Sequence, residues 1–148
     1  MANEQSRIRR RKTKASDMPE PFAGISDTIC RECHEEITRE ALVDSLQVCP
    51  ECGFHMPMHP YDRLSTLVDE GSFEEFSQDL TSRNPISLSG YEEKLEQAKG
   101  KAGLNDAVVT GIGSIDGRKT VLAVMSFHFL GGSMGSVVGE KITRAILK

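Results

Sequence analysis

The chain contains no tryptophan and only two tyrosines among its 148 residues, and no apolar run comes near the length of a membrane-spanning helix. Residues 1–14 are basic and polar, and no apolar stretch follows them, so we expect no secretory signal peptide. The lack of a membrane-spanning run and of a signal peptide favours a soluble, cytoplasmic protein without membrane contact. A chain of this length has room for one ordinary domain, or for a small module and part of a larger domain.

Cysteine is scarce too, but all four cysteines fall within 23 residues, as two Cys-x-x-Cys pairs with 15 residues between them. This spacing is typical of a four-thiolate zinc site, because each pair places two sulfurs at a tight turn and the spacer lets the second pair complete a tetrahedron. The surrounding residues are too few and too polar for a core of their own, and bound zinc would supply roughly 10–16 kcal/mol. We therefore predict a zinc ribbon over residues 28–59 with one structural Zn²⁺. Its predicted ligands are Cys30, Cys33, Cys49 and Cys52.

The residue after each cysteine pair fits such a turn. Gly53 follows the second pair, where we expect a left-handed backbone that glycine adopts freely. His34 occupies the same place after the first pair, and histidine tolerates this conformation better than most residues.

Three other interpretations of the cysteines stay open at this point. Two disulfides would need an oxidising compartment. The run Cys30-Arg-Glu-Cys33-His34 matches the attachment pattern of a c-type haem, but haem would leave the second pair unexplained and normally needs export. In the third interpretation, one of the histidines His34, His55 or His59 replaces a cysteine as zinc ligand.

The net charge of −4 is unevenly distributed along the chain. Residues 1–14 carry six basic residues and one glutamate, a net charge of +5, which leaves −9 for the rest. Because Pro19 and Pro21 also discourage regular structure, we expect residues 1–27 to form a basic, flexible leader. Such a leader is either simply solvated or makes a weak contact with nucleic acid or an acidic partner. The ribbon holds two basic and six acidic residues, which argues against a nucleic-acid-binding face there.

Residues 60–104 are predicted to form a helical connector between the ribbon and the last part of the chain. Pro60 suits the first position of a helix over 60–70, and Gly71 suits its end. A second, mostly polar helix is predicted over 91–101.

Strands replace helices after residue 105. A strand over 107–115 and another over 120–130 flank Asp116-Gly117, a strong two-residue hairpin turn. The second strand is apolar almost throughout, so we expect it to be buried on both faces. A glycine turn and a helix over 136–148 follow. The apolar face of this helix is formed by Val138, Ile142, Ala145 and Ile146. Since no stop signal ends the helix, and a hairpin and one helix cannot cover each other, we expect an incomplete α/β domain over 105–148.

The glycine turn, Gly131-Gly132-Ser133-Met134-Gly135, lies between a strand and a helix, where unpaired N–H groups and the helix dipole favour an anion or an oxyanion. It also fits the Gly-x-Ser-x-Gly nucleophile elbow, in which Ser133 would attack an acyl carbon. No histidine follows Ser133 to complete a triad, which argues against a serine hydrolase fragment but leaves it as an alternative. The simplest alternative is that the glycines only permit a tight turn.

Taken together and in order, these motifs resemble the β subunit family of the bacterial acetyl-CoA carboxylase carboxyltransferase. The four-cysteine ribbon is followed by Arg63-Leu-x-x-Leu-Val-Asp-Glu-Gly-Ser-Phe73, by the hairpin, and by Phe129-Leu-Gly-Gly-Ser-Met-Gly-Ser-Val-Val-Gly139. The resemblance runs from about Thr28 to the end of the chain. It implies an α/β fold in which a crotonase-like domain of ββα units follows the zinc ribbon.

The resemblance also implies a biotin-dependent transferase of fatty acid biosynthesis. The family pairs with a carboxyltransferase α subunit and works with biotin carboxylase. It moves a carboxyl group from carboxybiotin, held on the biotin carboxyl carrier protein, to acetyl-CoA and forms malonyl-CoA. Backbone N–H donors at helix starts can stabilise the enolate-like oxyanions of this reaction without an ionisable side chain.

The family's Ser-Gly-Gly-Ala-Arg segment, which supplies donors to the thioester, is not found in this chain. The resemblance therefore assigns the four cysteines as zinc ligands and assigns no catalytic residue. We expect a truncated form that binds zinc but is inactive alone. The glycine turn carries over only as a minor contribution to the CoA side of the pocket. The residues concerned are Gly131, Gly132, Ser133 and Gly135. A zinc-ribbon module that binds nucleic acid or a protein is the remaining alternative.

Overall fold

The computed structural model describes residues 18–148, and the basic residues 7–14 of the leader, expected to be either solvated or in weak contact with nucleic acid or an acidic partner, lie outside this part. Five strands and four helices are present in residues 18–148. In chain order they are β1 (Thr28–Ile29), β2 (Glu36–Ile37), α1 (Arg39–Asp44), α2 (Pro60–Leu67), β3 (Glu74–Glu75), α3 (Tyr91–Ala102), β4 (Val108–Ile115), β5 (Arg118–Met125) and α4 (Ser136–Ile146). Not one of these helices has the length and the apolar character that crossing a bilayer demands.

The ribbon begins with β1 and β2, an antiparallel pair whose connecting turn carries the first cysteine pair. α1 follows at once, because the Thr38 hydroxyl accepts a hydrogen bond of 3.3 Å from the backbone N–H of Ala41 and caps the first turn. The buried cluster of the ribbon consists of Cys30, Ile37, Leu42 and Cys49. Half of this cluster is cysteine, so the ribbon has little apolar core of its own.

The body of the protein (residues 60–148) is built on a three-stranded antiparallel sheet in the order β3-β4-β5. β4 and β5 form the predicted hairpin, with Ile115 opposite Arg118 across the turn. Asp116 (φ 49°) and Gly117 (φ 74°) both have left-handed backbones, as a type I′ turn requires. The Asp69 carboxylate accepts hydrogen bonds from the N–H groups of both turn residues, at 3.0 and 2.8 Å. The hairpin is thus confirmed, and it is tied to the segment that follows α2.

β3 is a strand that the sequence analysis did not predict. Its Glu74 lies opposite Ile112 of β4, and Phe73, directly before it, is only 2% exposed. Phe73 joins a core whose largest buried members include Leu64, Val108 and Val138. The predicted connector and the predicted last domain therefore contribute strands to one sheet and side chains to one core.

The second strand of the hairpin is shorter and more exposed than predicted. β5 ends at Met125 instead of continuing over 120–130, because the chain turns away after Ser126 and passes through a left-handed Leu130 (φ 45°). The expectation that this strand is buried on both faces is wrong for the described residues, since Val121 is 39% exposed. β4 is the buried strand of the pair.

α4 begins where predicted and ends at Ile146, two residues before the predicted end. Its buried residues are Val138, Lys141 and Ala145, which follow one another at helical spacing. Ile146 is 79% exposed, contrary to prediction, because it is rotated by about 100° from Ala145 around the helix axis. A lysine thus occupies the middle of the face that packs on the sheet.

The two connector helices start where the sequence places them. α2 ends at Leu67, three residues earlier than predicted, because Val68 has an extended backbone and only its N–H still bonds back to Leu64. α3 extends to Ala102, one residue beyond the prediction.

Gly111 lies where β4 passes closest to the segment before β3. A Cβ atom at this position would overlap the ring of Phe73 and come within 2.8 Å of the carbonyl oxygen of Glu74. Because Phe73 is enclosed by the core, Gly111→Ala should lower the free energy of unfolding by about 1–3 kcal/mol. Urea unfolding of the chain, followed by circular dichroism, measures this change.

The matched control is Gly100→Ala in α3, where no atom lies within 4 Å of the added Cβ. That variant should raise the free energy of unfolding by about 0.5–1 kcal/mol, because alanine favours a helix interior. Equal stability of the two variants would contradict the close packing of β4 on Phe73.

Candidate metal centre and glycine turn

The four cysteines converge on one point, and their Sγ atoms all lie within 4.8 Å of one another. The Cys30–Cys52 and Cys33–Cys49 sulfur pairs are each 3.7 Å apart. A tetrahedral zinc ion with Zn–S bonds of about 2.3 Å places its sulfurs about 3.8 Å apart. A disulfide would need about 2.05 Å, and all four cysteines are free thiols. The spacing therefore fits a four-sulfur metal site better than a pair of disulfides.

Two equivalent turns produce this convergence. The N–H of His34 donates to the carbonyl of Cys30 (3.0 Å), and the N–H of Gly53 donates to the carbonyl of Cys49 (2.9 Å). His34 (φ 63°) and Gly53 (φ 75°) both have the left-handed backbone that the sequence predicted. Each turn thereby directs two sulfurs inward from one short segment.

The pKa values of the thiols show why the cluster favours a positive ion. The backbone N–H of Cys33 is the main cause that lowers the pKa of Cys30 to about 6. The backbone N–H of Glu35 lowers the pKa of Cys33, but burial and the neighbouring sulfurs, Cys52 first among them, outweigh it and raise this pKa to about 12. One thiolate forms readily and then opposes ionisation of its neighbours. A bound cation would offset that repulsion and let the sulfurs ionise together.

The histidines are not part of the group that could hold a metal within residues 18–148. His59 in particular has both ring nitrogens engaged. Its Nε2 donates to the carbonyl of Ala102 (2.9 Å), while its Nδ1 accepts from the N–H of Tyr61 (3.3 Å) and caps α2. His59 therefore connects the end of the ribbon to α2 and α3, and the interpretation with a histidine ligand loses its support.

The glycine turn is an exposed loop at the start of α4. Gly131 (φ 67°) and Gly132 (φ 77°) have left-handed backbones, and Gly135 is the N-cap of α4 without a side chain to cover the first N–H groups. Ser133 is exposed and makes no hydrogen bond to any histidine in the described part of the chain. The N–H of Gly132 already donates to the carbonyl of Phe129 (2.9 Å), so the backbone donors of this region are those at the uncapped start of α4. Nothing in the turn activates Ser133 as a nucleophile.

A buried polar cluster beneath α4 was missed by the sequence analysis. Lys141 is 2% exposed, and its Nζ donates to the carbonyl of Val108 at the start of β4 (2.8 Å). Glu75, 4% exposed, accepts hydrogen bonds through Oε2 from the Tyr61 hydroxyl (2.9 Å) and from Gln78 Nε2 (2.7 Å). Burial raises the pKa of Glu75 and lowers that of Lys141, and the attraction between the two groups opposes both shifts. The only sign of this cluster in the sequence is a lysine three residues after Val138, on a helix face that is otherwise apolar.

Three comparisons place the chain among known proteins. The family model for the carboxyl transferase domain matches residues 57–148. The acetyl-coenzyme A carboxylase carboxyl transferase subunit beta of Treponema denticola is 51% identical over 119 residues, which are 80% of this chain and 45% of that protein. The crystal structure of the transcarboxylase 12S hexamer, with methylmalonyl-coenzyme A and methylmalonic acid bound, matches with a TM-score of 0.50 and 29% identity, over 62% of this chain and 16% of that one. The chain therefore spans about half the length of the curated relative that it matches.

The buried Glu75 should make stability depend on pH. Its pKa lies above the ordinary value of 4.5, because burial disfavours the carboxylate. The folded chain therefore holds this proton to a higher pH than the unfolded chain, and the free energy of unfolding falls as pH rises from 4.5 through the raised pKa. Glu75→Gln cannot ionise and keeps both hydrogen-bond partners, so its stability should lack this fall.

Urea unfolding at a series of pH values from 4.5 upward measures the difference. Glu92→Gln, an exposed change in the first turn of α3, is the matched control and should follow the unaltered chain. Parallel pH profiles for Glu75→Gln and the unaltered chain would show that Glu75 is not held in an environment that opposes its ionisation.

Proposed function

The chain belongs to the carboxyl transferase domain family, and on that premise we propose that it is the N-terminal part of an acetyl-CoA carboxylase carboxyltransferase β subunit. In this role it would join a carboxyltransferase α subunit in the cytoplasm. The complex would move the carboxyl group from biotin on the carrier protein to acetyl-CoA and form malonyl-CoA for fatty acid biosynthesis. The observation that carries the proposal is the 51% identity to the Treponema denticola subunit over 80% of this chain.

We propose that the cysteine cluster is a structural zinc site. Four thiolates in a tetrahedral arrangement suit zinc, and four protein ligands leave no open position for a substrate or a water molecule. The cluster also supplies half of the buried residues in the ribbon core. The role of the ion would be to hold the ribbon of residues 28–59 together, while the chemistry takes place elsewhere.

The glycine turn supports a role on the CoA side of the substrate pocket. Carboxyl transfer to an acyl thioester develops negative charge on the thioester oxygen and on the ureido group of biotin, and fixed N–H donors stabilise such charge without exchanging protons. The backbone of Gly131, Gly132, Ser133 and Gly135 would contribute to binding there. Lys141 would act through position, since its bond to Val108 fixes α4, and with it the turn, against the sheet. No residue of this chain is assigned as catalytic.

The proposed domain organisation keeps the boundaries predicted from the sequence: a basic leader (1–27), a zinc ribbon (28–59), a helical connector (60–104) and the start of the carboxyltransferase domain (105–148). The three-stranded sheet crosses one of these boundaries. β3 lies in the connector and pairs with β4 of the last part, so these two segments would fold as one unit.

The zinc proposal predicts about one Zn²⁺ for each purified chain. Cys52→Ser should lose most of the metal and unfold the ribbon, because three thiolates bind zinc less tightly than four. His55→Ala is the matched control, since His55 lies three residues further along the same turn and should be dispensable for zinc. Elemental analysis and circular dichroism before and after chelator treatment measure both effects. A metal-free chain that stays folded with reduced thiols would refute the site.

The carboxyltransferase proposal predicts malonyl-CoA formation when the full-length β subunit is combined with its α subunit, carboxybiotin and acetyl-CoA. The 148-residue chain alone should form none, since the family's Ser-Gly-Gly-Ala-Arg segment is not in it. Ser133→Ala in the full-length subunit should keep most of the activity, because only the backbone of the turn is used. Labelling of Ser133 by a phosphonate probe, together with no carboxylation by the assembled enzyme, would favour a serine hydrolase instead.

A further inference from the structure

The four cysteines of the candidate metal centre differ in their exposure to solvent. Cys30 and Cys49 belong to the buried cluster of the ribbon and are 0% and 1% exposed. Cys33 is half-buried, whereas Cys52 is exposed. Cys52 lies at the end of the second turn, directly after the exposed Glu51. A reagent dissolved in water therefore reaches the sulfur cluster first at Cys52.

The sulfur that faces Cys52 comes from the other turn. Sγ of Cys52 lies 3.7 Å from Sγ of Cys30, and the second contact of this length joins Cys33 to Cys49. A disulfide needs about 2.05 Å between its sulfurs, so Cys30 and Cys52 have to approach each other by roughly 1.7 Å to form one. Oxidation at Cys52 therefore has a second sulfur in place to complete a disulfide between the two turns.

The charge around the cluster limits the kind of oxidant that it meets. The ribbon carries six acidic residues and two basic ones, and one of the acidic residues, Glu51, is next to Cys52. Four thiolates also outweigh the charge of one divalent ion. An anionic oxidant such as glutathione disulfide therefore approaches against the local field. Hydrogen peroxide is small and uncharged, so this field does not repel it.

Resting on the proposed zinc site, we propose that the ribbon is a peroxide-sensitive switch that opens through Cys52. Hydrogen peroxide transfers one oxygen atom to the Cys52 thiolate, and the O–O bond breaks to give a sulfenic acid and a hydroxide ion. Sγ of Cys30 then attacks Sγ of Cys52 and displaces a second hydroxide ion, which leaves a Cys30–Cys52 disulfide. Two thiolates are thus oxidised, one peroxide is reduced, and the two hydroxide ions take up protons from the buffer.

The disulfide removes two of the four metal ligands. Only Cys33 and Cys49 remain, and two thiolates hold zinc much less tightly than four. Because half of the buried cluster of the ribbon is cysteine, loss of the ion should open residues 28–59. The body has a separate core that includes Leu64 and Phe73, and it should stay folded. A dithiol reductant returns both thiols, after which added Zn²⁺ should restore the ribbon.

The test adds hydrogen peroxide to the zinc-loaded chain, follows zinc release with a chromogenic chelator and maps disulfides by mass spectrometry at intervals. We expect zinc release and the Cys30–Cys52 disulfide to appear at the same rate. Limited proteolysis should then cut within residues 28–59 while the body stays intact. A dithiol reductant with Zn²⁺ should reverse all three changes.

Two variants separate the role of Cys52 from a general effect of altering the cluster. Cys52→His replaces the exposed sulfur by a ring nitrogen that binds zinc but forms no disulfide, so peroxide should release zinc at least about tenfold more slowly. Cys33→His is the matched control, because it makes the same exchange of ligand in the other turn and leaves Cys30 and Cys52 in place. It should keep the fast release and the same disulfide. If either variant fails to hold zinc, the disulfide map of the unaltered chain decides alone.

The outcomes separate the switch from the zinc site on which it rests. A first disulfide between any other two cysteines, or zinc retained at peroxide concentrations that oxidise a free thiol, would overturn the switch and leave the zinc site standing. Faster release by glutathione disulfide than by peroxide at equal concentration would overturn the assignment to an uncharged oxidant. A purified chain without zinc would overturn the zinc site and this inference together. Carboxylation is not measured, so the proposed carboxyltransferase activity is tested separately.

Discussion

The fold of the ribbon (residues 28–59) depends on the convergence of four sulfur atoms on one point. The ribbon has two-residue strands, a six-residue helix and a buried cluster of four residues, two of them cysteines. Segments of this size do not usually fold on hydrophobic burial alone. The two left-handed turns at His34 and Gly53 bring the thiols to metal-binding distance, and the same turns fix the register of β1 with β2 and of Val48 with His55.

The body depends on a different and less obvious device, a buried cation under the helix that carries the glycine turn. An ammonium group with one hydrogen bond to Val108 and with Glu75 nearby is a costly group to bury. Its geometry is also specific, because α4 can meet that carbonyl in only one rotation and at one height along β4. An apolar residue at position 141 would allow sliding. The lysine therefore exchanges stability for a defined position of the glycine turn.

The sequence predicted the features whose causes are local. Short-range backbone chemistry determines the two cysteine turns with their left-handed residues, the Asp116-Gly117 hairpin, and the starts of α2 and α3. It did not predict β3, which is two residues long and exists only because β4 pairs with it. It extended β5 too far, because an apolar run continues through Phe127 and Phe129 after the backbone has left the sheet. The role of Lys141 depends on Val108, a residue 33 positions away in the chain, and no pattern around Lys141 reveals that partner.

The carboxylate of Asp69 binds both N–H groups of a hairpin turn that lies 47 and 48 positions further along the chain. The ribbon, in contrast, closes its sulfur cluster over a separation of at most 22 positions. During synthesis on a ribosome, the sulfur cluster can therefore close while the partners of Asp69 and β3 are still untranslated. α2 and the residues after it leave the exit tunnel without the surface that will enclose Leu64 and Phe73. The sequence separations of these contacts therefore favour an order of assembly in which the ribbon folds first and the body folds after it.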